Sequence, residues 1–126
     1  MRILIIIGIF LSLYSCASKG SIVVEADMSP AQIIQHGQEA FDQNRYDQAL
    51  QYYEALETRF SNNPALALTA QYEKAFIHYK MKQYTVAAYE CELILARYNE
   101  PDASILPAQY KKLASIVLGQ IKNKTS

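Results

Sequence analysis

Few residues of this sequence have the types and spacing that catalysis or metal binding requires. The two histidines, His36 and His78, have no second histidine at metal-binding spacing, which favours an ordinary surface or core position for each. Cys91 falls on the apolar stripe of a predicted helix, where a neutral core thiol is the usual state. Glu54 and Glu92 recur at a fixed interval, so we interpret them as part of a repeat and not as an acid–base pair. The sequence therefore predicts no enzyme activity, no catalytic residue, no metal and no cofactor.

The formal net charge of zero indicates which classes of partner to expect. The chain has 12 lysines and arginines against 12 aspartates and glutamates, and its 126 residues have room for one domain. Without net charge, the chain has no strong field that would attract nucleic acid or anionic lipid. We expect protein partners, and neither nucleic acid nor a small-molecule substrate.

Residues 1–15 have the pattern of an export signal. A short basic start at Met1 and Arg2 is followed by an uncharged, mostly apolar run over residues 3–14. A spanning helix needs about 20 apolar residues, so this run is too short for one and fits the apolar region of a secretory signal.

The end of this run resembles the lipobox of bacterial lipoproteins, with Leu13 and the small Ser15 before Cys16. The resemblance implies that the signal is cut before Cys16, that its sulfur carries diacylglycerol and that its new amine is acylated, for example with palmitate. Tyr14 departs from the pattern, which prefers a smaller residue there. The alternatives are an ordinary cleaved signal with a chance cysteine, or a short anchor.

Lipid on Cys16 would hold the mature chain at a membrane, because two or more acyl chains make a stable anchor. In lipoproteins of this kind an acidic residue after the cysteine retains the protein at the inner membrane, and Ala17 and Ser18 stand here. The resemblance thus implies a lipid-anchored protein of the outer membrane that faces the periplasm. We interpret residues 16–28 as a flexible tether.

Residues 29–126 predict an all-α domain. Ser29 before Pro30 is a helix start signal, and Asn63 before Pro64 is another. Apolar residues at helical spacing predict five helices over residues 30–43, 46–60, 64–81, 84–98 and 105–122. Their short connections favour antiparallel neighbours.

The helices repeat at an interval of 38 residues, since Tyr46, Ala49 and Tyr53 align with Tyr84, Ala87 and Cys91. This spacing resembles the tetratricopeptide repeat, which implies that a small residue of each first helix lets the second approach. The predicted repeat-packing residues are Gly37, Tyr46, Ala49, Tyr53, Ala75, Tyr84, Ala87 and Cys91. The expected fold is a right-handed helical-hairpin solenoid of two repeats and a C-terminal capping helix.

The stretch 43–98 is similar to the early repeats of BamD-type (YfiO-like) outer-membrane assembly lipoproteins. This resemblance implies a non-enzymatic scaffold that helps to assemble β-barrel outer-membrane proteins by binding the barrel-assembly protein BamA. The family has more repeats than this chain, so its own BamA contact is not carried over. The alternative is an adaptor lipoprotein of another envelope complex, either pilotin-like for a type IV pilus or part of cell-wall synthesis.

The tetratricopeptide resemblance also implies that the first helices line a concave groove for a partner. The candidate groove residues, expected to be exposed, are Ile34, Gln38, Phe41, Tyr72, Phe76, Tyr79 and Tyr110. Aromatic rings suit a binding surface because they combine large contact area with a polar tip. The alternative is that these side chains pack neighbouring hairpins or the tether.

Overall fold

The computed structural model describes residues 20–126, and all of these are helical or irregular, without a strand. The predicted signal peptide and Cys16 lie outside the described residues. The all-α prediction is confirmed, with the helices α1 (Pro30–Asp42), α2 (Tyr46–Arg59), α3 (Pro64–Lys80), α4 (Tyr84–Arg97) and α5 (Gln109–Thr125). None of these helices is long and apolar enough to cross a membrane.

Side-chain caps start the first helix of each hairpin where the sequence predicts them. The Ser29 hydroxyl accepts from the Gln32 amide, and the Gln32 side chain accepts from the Ser29 amide at 2.9 Å. The Asn63 side chain accepts from the Leu66 amide at 3.2 Å. A proline follows each cap, and its fixed φ suits the first helical position.

The two turns that close the hairpins have the same backbone conformation. Asn44 has a φ of 57° and Lys82 a φ of 63°, both in the left-handed region. The Arg45 amide donates to the Ala40 carbonyl at 2.8 Å, as the Gln83 amide does to the His78 carbonyl at 2.9 Å. The repeat is therefore present in the backbone as well as in the sequence.

The helices pack as two hairpins and a final helix, a tetratricopeptide-like solenoid. The α1–α2 hairpin lies against α3, and the α3–α4 hairpin lies against α5. The first core consists of Ile33, Ala40, Ala49, Tyr53, Leu56, Ala70 and Ile77. The second core consists of Leu68, Tyr72, Ala75, Ala87, Cys91, Ile94, Leu106, Ala114, Val117 and Ile121. Because α3 contributes to both cores, it joins the two hairpins into one array.

The predicted repeat-packing residues lie at the helix contacts. Ala49, Ala75, Ala87 and Cys91 are fully buried, as are Gly37 and Tyr53 at the crossing of α1 and α2. Tyr46 and Tyr84 are half-buried at the starts of α2 and α4, against Phe41 and Tyr79 respectively.

The prediction of one helix over residues 105–122 is wrong at its start. A short 3₁₀ turn, Ala103–Ile105, precedes an extended Leu106 with ψ 142°, and α5 begins only at Gln109. Pro107 is the physical reason, because its ring disfavours the helical conformation at the residue before it. The Tyr98 hydroxyl donates to the Pro107 carbonyl at 2.5 Å and holds this connection against α4.

The prediction of a flexible tether is corrected for residues 20–28, which lie along α2. The Ile22 amide donates to Gln51 Oε1, and Gln51 Nε2 donates to the Gly20 carbonyl, both at 3.2 Å. Arg59 donates to the carbonyls of Val24 and Glu25. Val24 and Met28 also pack against the first core, so this segment is bound to the domain.

Candidate interaction surfaces

Aromatic side chains form a row across the first helices of the hairpins. The Phe41 and Phe76 ring centroids are 5.6 Å apart, which joins α1 to α3. Tyr72 lies 6.2 Å from Phe76 and 5.0 Å from Tyr110, which joins α3 to α5. Tyr79 extends the row at 6.1 Å from Phe76. We call Phe41, Tyr72, Phe76, Tyr79 and Tyr110 the aromatic row.

The members of the predicted groove differ in exposure. Tyr72 was expected to be exposed, and this is wrong, since only 8 % of it is accessible and it belongs to the second core. Phe76 and Tyr110 cover it from either side. Half-buried positions are occupied by Ile34, Phe41, Phe76, Tyr79 and Tyr110, whereas Gln38 is exposed. The structure thus gathers the aromatic residues into one surface, while Ile34 packs against the first core.

The aromatic row is apolar, and its tyrosines carry hydroxyl groups at their tips. Burial, followed by the charge of Glu73, raises the pKa of Tyr72 to about 12. Burial likewise raises the pKa of Tyr53 above its ordinary value, again with Glu73 next in importance. A neutral phenol offers both an apolar body and a hydrogen-bonding group to a protein partner.

A second surface is a groove between α3 and α4. This α3–α4 groove has a volume of about 590 Å³ and is lined by Glu57, Gln71, Lys74, Val86, Tyr89, Glu90, Leu93, Ile94, Ala96, Arg97 and Glu100. Its outer edge is an apolar stripe along α4 that consists of Val86, Tyr89 and Leu93. These side chains are 44 %, 62 % and 51 % exposed, far more than most large apolar residues of the domain.

One ion pair and one histidine–carboxylate contact lie at the α3–α4 groove. Lys74 Nζ lies 2.5 Å from Glu57 Oε2, and Gln71 Nε2 donates to Glu57 Oε1 at 2.8 Å. Burial raises the pKa of Glu57, but the hydrogen bonds from Lys74 and Gln71 outweigh it and leave the pKa lowered. His78 Nδ1 lies 2.7 Å from Glu90 Oε2.

The charged side chains near the C-terminal end of α4 are also paired. Arg97 contacts Glu100 and Asp102, each at 3.2 Å. Within residues 20–126, Glu57, Lys74, Arg97 and Glu100 of the groove lining each have an ion-pair partner inside the domain, and Glu90 contacts His78. The part of the groove that lacks a partner is its apolar stripe.

Sequence reasoning missed the α3–α4 groove, although a signal was present. The core stripe of α4 is Ala87, Cys91 and Ile94. Val86, Tyr89 and Leu93 follow a second helical line, at spacings of three and four residues, on another face. The α4 helix packs on both α3 and α5, and these three side chains nevertheless stay largely exposed.

Cys91 and His36 lie in positions that side-chain packing explains. Cys91 is fully buried, and burial raises the pKa of its thiol to about 11, with smaller contributions from Glu90 and Glu92. His36 stacks on Tyr52 with ring centroids 5.5 Å apart. Among residues 20–126, no group of three histidine, cysteine or acidic side chains is placed to hold a metal ion.

The chain is similar to an uncharacterized protein of Treponema pallidum (strain Nichols), with 32 % identity over 118 residues. The match covers 93 % of this chain and 47 % of the relative, so the chain spans about half the length of that protein. No protein-family model matches the sequence. No solved structure matches the chain.

Proposed function

We propose that this protein is a non-enzymatic scaffold of the bacterial envelope, anchored to the outer membrane through lipid on Cys16. It takes part in the assembly of β-barrel outer-membrane proteins by protein–protein binding, as BamD-type lipoproteins do. The observation that carries the proposal is the aromatic row, which connects the first helices of a helical-repeat array into one half-exposed surface.

The row supports a binding function for two reasons. Aromatic side chains are enriched among the residues that dominate binding energy, because they bury large area at low entropic cost. Phe41, Phe76 and Tyr110 retain accessible surface although each contacts another ring. A partner that inserts apolar side chains between them completes the packing that the array leaves open.

The proposed location at the outer membrane rests on a lipid anchor at Cys16. Acyl chains on Cys16 hold the domain at the inner leaflet of the outer membrane, and residues 20–28 attach it to the first hairpin through α2. The domain then presents the aromatic row to BamA or to an incoming barrel segment near the membrane. Mass spectrometry of Cys16 from the native host tests this step, and a protein without acyl mass contradicts it.

Affinity recovery from solubilised outer membrane tests the function. The full chain is expected to recover BamA, and Phe76→Ser combined with Tyr110→Ser is expected to reduce that recovery at least tenfold, about 1.4 kcal/mol. Tyr89→Ser is the matched control, because it removes an equally aromatic side chain from the α3–α4 groove. Circular dichroism must show the same helical content in all variants.

Three results would count against the proposal or move its binding surface. Recovery of a pilus secretin or a cell-wall synthase in place of BamA assigns the protein to another envelope complex. Unchanged levels of outer-membrane proteins after depletion also contradict the proposal. Loss of recovery with Tyr89→Ser alone moves the binding surface from the aromatic row to the α3–α4 groove.

A further inference from the structure

One carboxyl group lies beside the aromatic row without a counter-charge. Glu73 follows Tyr72 directly on α3 and precedes Phe76 by three residues, a spacing that makes Glu73 and Phe76 neighbours on the helix surface. Glu73 is half-buried, and it takes part in none of the ion pairs formed within residues 20–126. Neither of its carboxylate oxygens is a fully buried atom, so both keep contact with solvent.

The charge of Glu73 makes the field at the aromatic row negative, although the chain as a whole has no net charge. After burial, this charge is the largest cause that raises the pKa of Tyr72 to about 12, and it is also the next cause after burial at Tyr53. Asp42 of α1 adds to the effect at Tyr53. Within residues 20–126, no basic side chain lowers the pKa of either tyrosine. The row therefore combines aromatic faces with unbalanced negative charge.

The lysines of α3 and the equivalent lysine of α5 do not neutralise Glu73. Lys74 is held in the ion pair at the α3–α4 groove. Lys111 lies 38 residues after Glu73, and its Nζ is 5.9 Å from the centroid of the Tyr98 ring. Lys80 lies seven residues after Glu73, about 10 Å along the helix axis. The cation that would balance this carboxylate is thus not supplied by the described part of the chain.

We propose that the aromatic row binds a lysine or arginine side chain of its protein partner, with the charged head at Glu73 and the stem against the rings of Phe41 and Phe76. These ring centroids are 5.6 Å apart. This inference rests on the proposed function, because it specifies what the partner inserts into the same surface. A cation is attracted to an aromatic face as well as to a carboxylate, so the two features reinforce each other.

Partial burial of Glu73 favours such a ligand. In the free domain, burial disfavours the charged carboxylate and raises its pKa. A cation that binds there offsets this cost, and the attraction is stronger than at the open surface because less water screens it.

Other ligands fit the site less well. A metal ion needs several ligating side chains, and no group of three histidine, cysteine or acidic residues within residues 20–126 is placed to hold one. An acidic segment would be repelled by Glu73 and Asp42. A purely apolar segment would cover the carboxylate of Glu73 without giving it a partner, which costs free energy.

Titration of the full chain in a non-ionic detergent with two synthetic peptides tests the inference. The probes are acetyl-Phe-Ser-Lys-Ser-Phe-amide and its analogue with norleucine in place of lysine, which lacks the ammonium group. Isothermal titration calorimetry is expected to give a Kd at least tenfold lower for the lysine peptide. Glu73→Gln is expected to remove this preference and to leave binding of the norleucine peptide nearly unchanged.

Glu92→Gln is the matched control, because it removes the same charge from an exposed position on α4, and it must keep the preference. Both variants must retain the circular dichroism of the parent. Equal binding of the two peptides by the parent, a preference that survives Glu73→Gln, or no binding of either peptide would overturn the inference. A parent chain that prefers the lysine peptide but recovers no BamA contradicts the proposed function alone and supports this inference.

Discussion

At Gly37 a single methyl group decides how closely α1 and α2 can pack. A Cβ at this position would lie 2.8 Å from Tyr53 Cζ and 2.9 Å from Tyr53 Cε2. The ring itself is only 1 % exposed and has no space to move away. The small residue that the repeat resemblance implies here is thus required by the size of Tyr53, and in the second repeat Ala75 and the smaller Cys91 form the equivalent pair.

Gly37→Ala should destabilise the domain by about 1–3 kcal/mol, the usual cost of overpacking a buried site. Gly119→Ala is the matched control, because no atom lies within 4 Å of a Cβ there and the residue is exposed in α5. That change should stabilise the domain by about 0.5–1 kcal/mol through helix propensity. Urea unfolding of both variants measures the difference, and equal stability of the two would contradict the packing argument.

Burial raises the pKa of both Glu57 and Glu73, but the net shifts of these two carboxyl groups are opposite. Burial raises the pKa of Glu73, which has no hydrogen bond or ion pair among residues 20–126. Glu57 has a lowered pKa because Lys74 and Gln71 bind its carboxylate despite burial. Glu73 therefore reduces stability as pH rises through its folded pKa, whereas Glu57 adds stability that is lost as pH falls through its folded pKa.

We expect substitutions at Glu73 and at Lys74, the partner of Glu57, to change stability at neutral pH in opposite directions. Glu73→Gln should raise the melting temperature at neutral pH and leave it nearly unchanged below the ordinary glutamate pKa, where both forms are uncharged. Lys74→Met should lower stability at neutral pH by about 1 kcal/mol, with a smaller loss in acid. Melting curves of both variants from acidic to neutral pH test this, and a shift independent of pH would refute it.

At the scale of the elements, α2 has a role beyond its hairpin. One face packs on α1 through Ala49, Tyr53 and Leu56, and the opposite face binds residues 20–28. Four side-chain groups of Gln51 and Arg59 form hydrogen bonds with this segment. The segment is thus an added part of the first hairpin.

Arg59→Met should release residues 20–28 while the helices remain folded. The change removes the donor to the carbonyls of Val24 and Glu25, a loss of about 1 kcal/mol for the segment. Limited proteolysis with proteinase K is expected to cut near Val23, which is already 83 % exposed, much faster than in the parent. Arg45→Met, at the start of α2, is the control, and equal cleavage of both variants would show that Arg59 does not hold the segment.

For the whole molecule, α3 and α5 determine whether the array is stable. Within residues 20–126, α3 contributes buried residues to both cores, and α5 supplies Ala114, Val117 and Ile121 to the second core. The exposed side of α5 is mostly polar, which suits a terminal helix that closes a repeat array. Tyr110 at its start also covers Tyr72, so α5 supports the aromatic row as well as the core.

Deletion of residues 109–126 should unfold the second hairpin. Burial of Val117 and Ile121 contributes about 1.5–3 kcal/mol each, a large part of the stability of a small domain. Helical ellipticity should fall by more than the 17 residues of α5 account for. Deletion of residues 122–126 is the control, since it removes only exposed residues. A truncated chain that kept its other four helices and unfolded cooperatively would contradict this prediction.

The sequence alone determined the helices, their caps and the repeat. These features depend on residues close in the chain: Ser29 and Asn63 bond to amides three residues away, and the 38-residue interval aligns Tyr46 with Tyr84. The tetratricopeptide resemblance also named all five residues of the aromatic row, because it implies a groove along the first helices. The start of α5 was missed where the effect of Pro107 was not taken into account.

Only the tertiary structure decided which apolar faces are covered. Tyr72 is buried because Tyr110, 38 residues later, lies on it. Residues 20–28 are bound because Gln51 and Arg59 reach them from about 30 residues away. The stripe at Tyr89 is open because no element of the described chain returns to cover it. Such outcomes depend on contacts between distant residues, which a local pattern of apolar spacing does not contain.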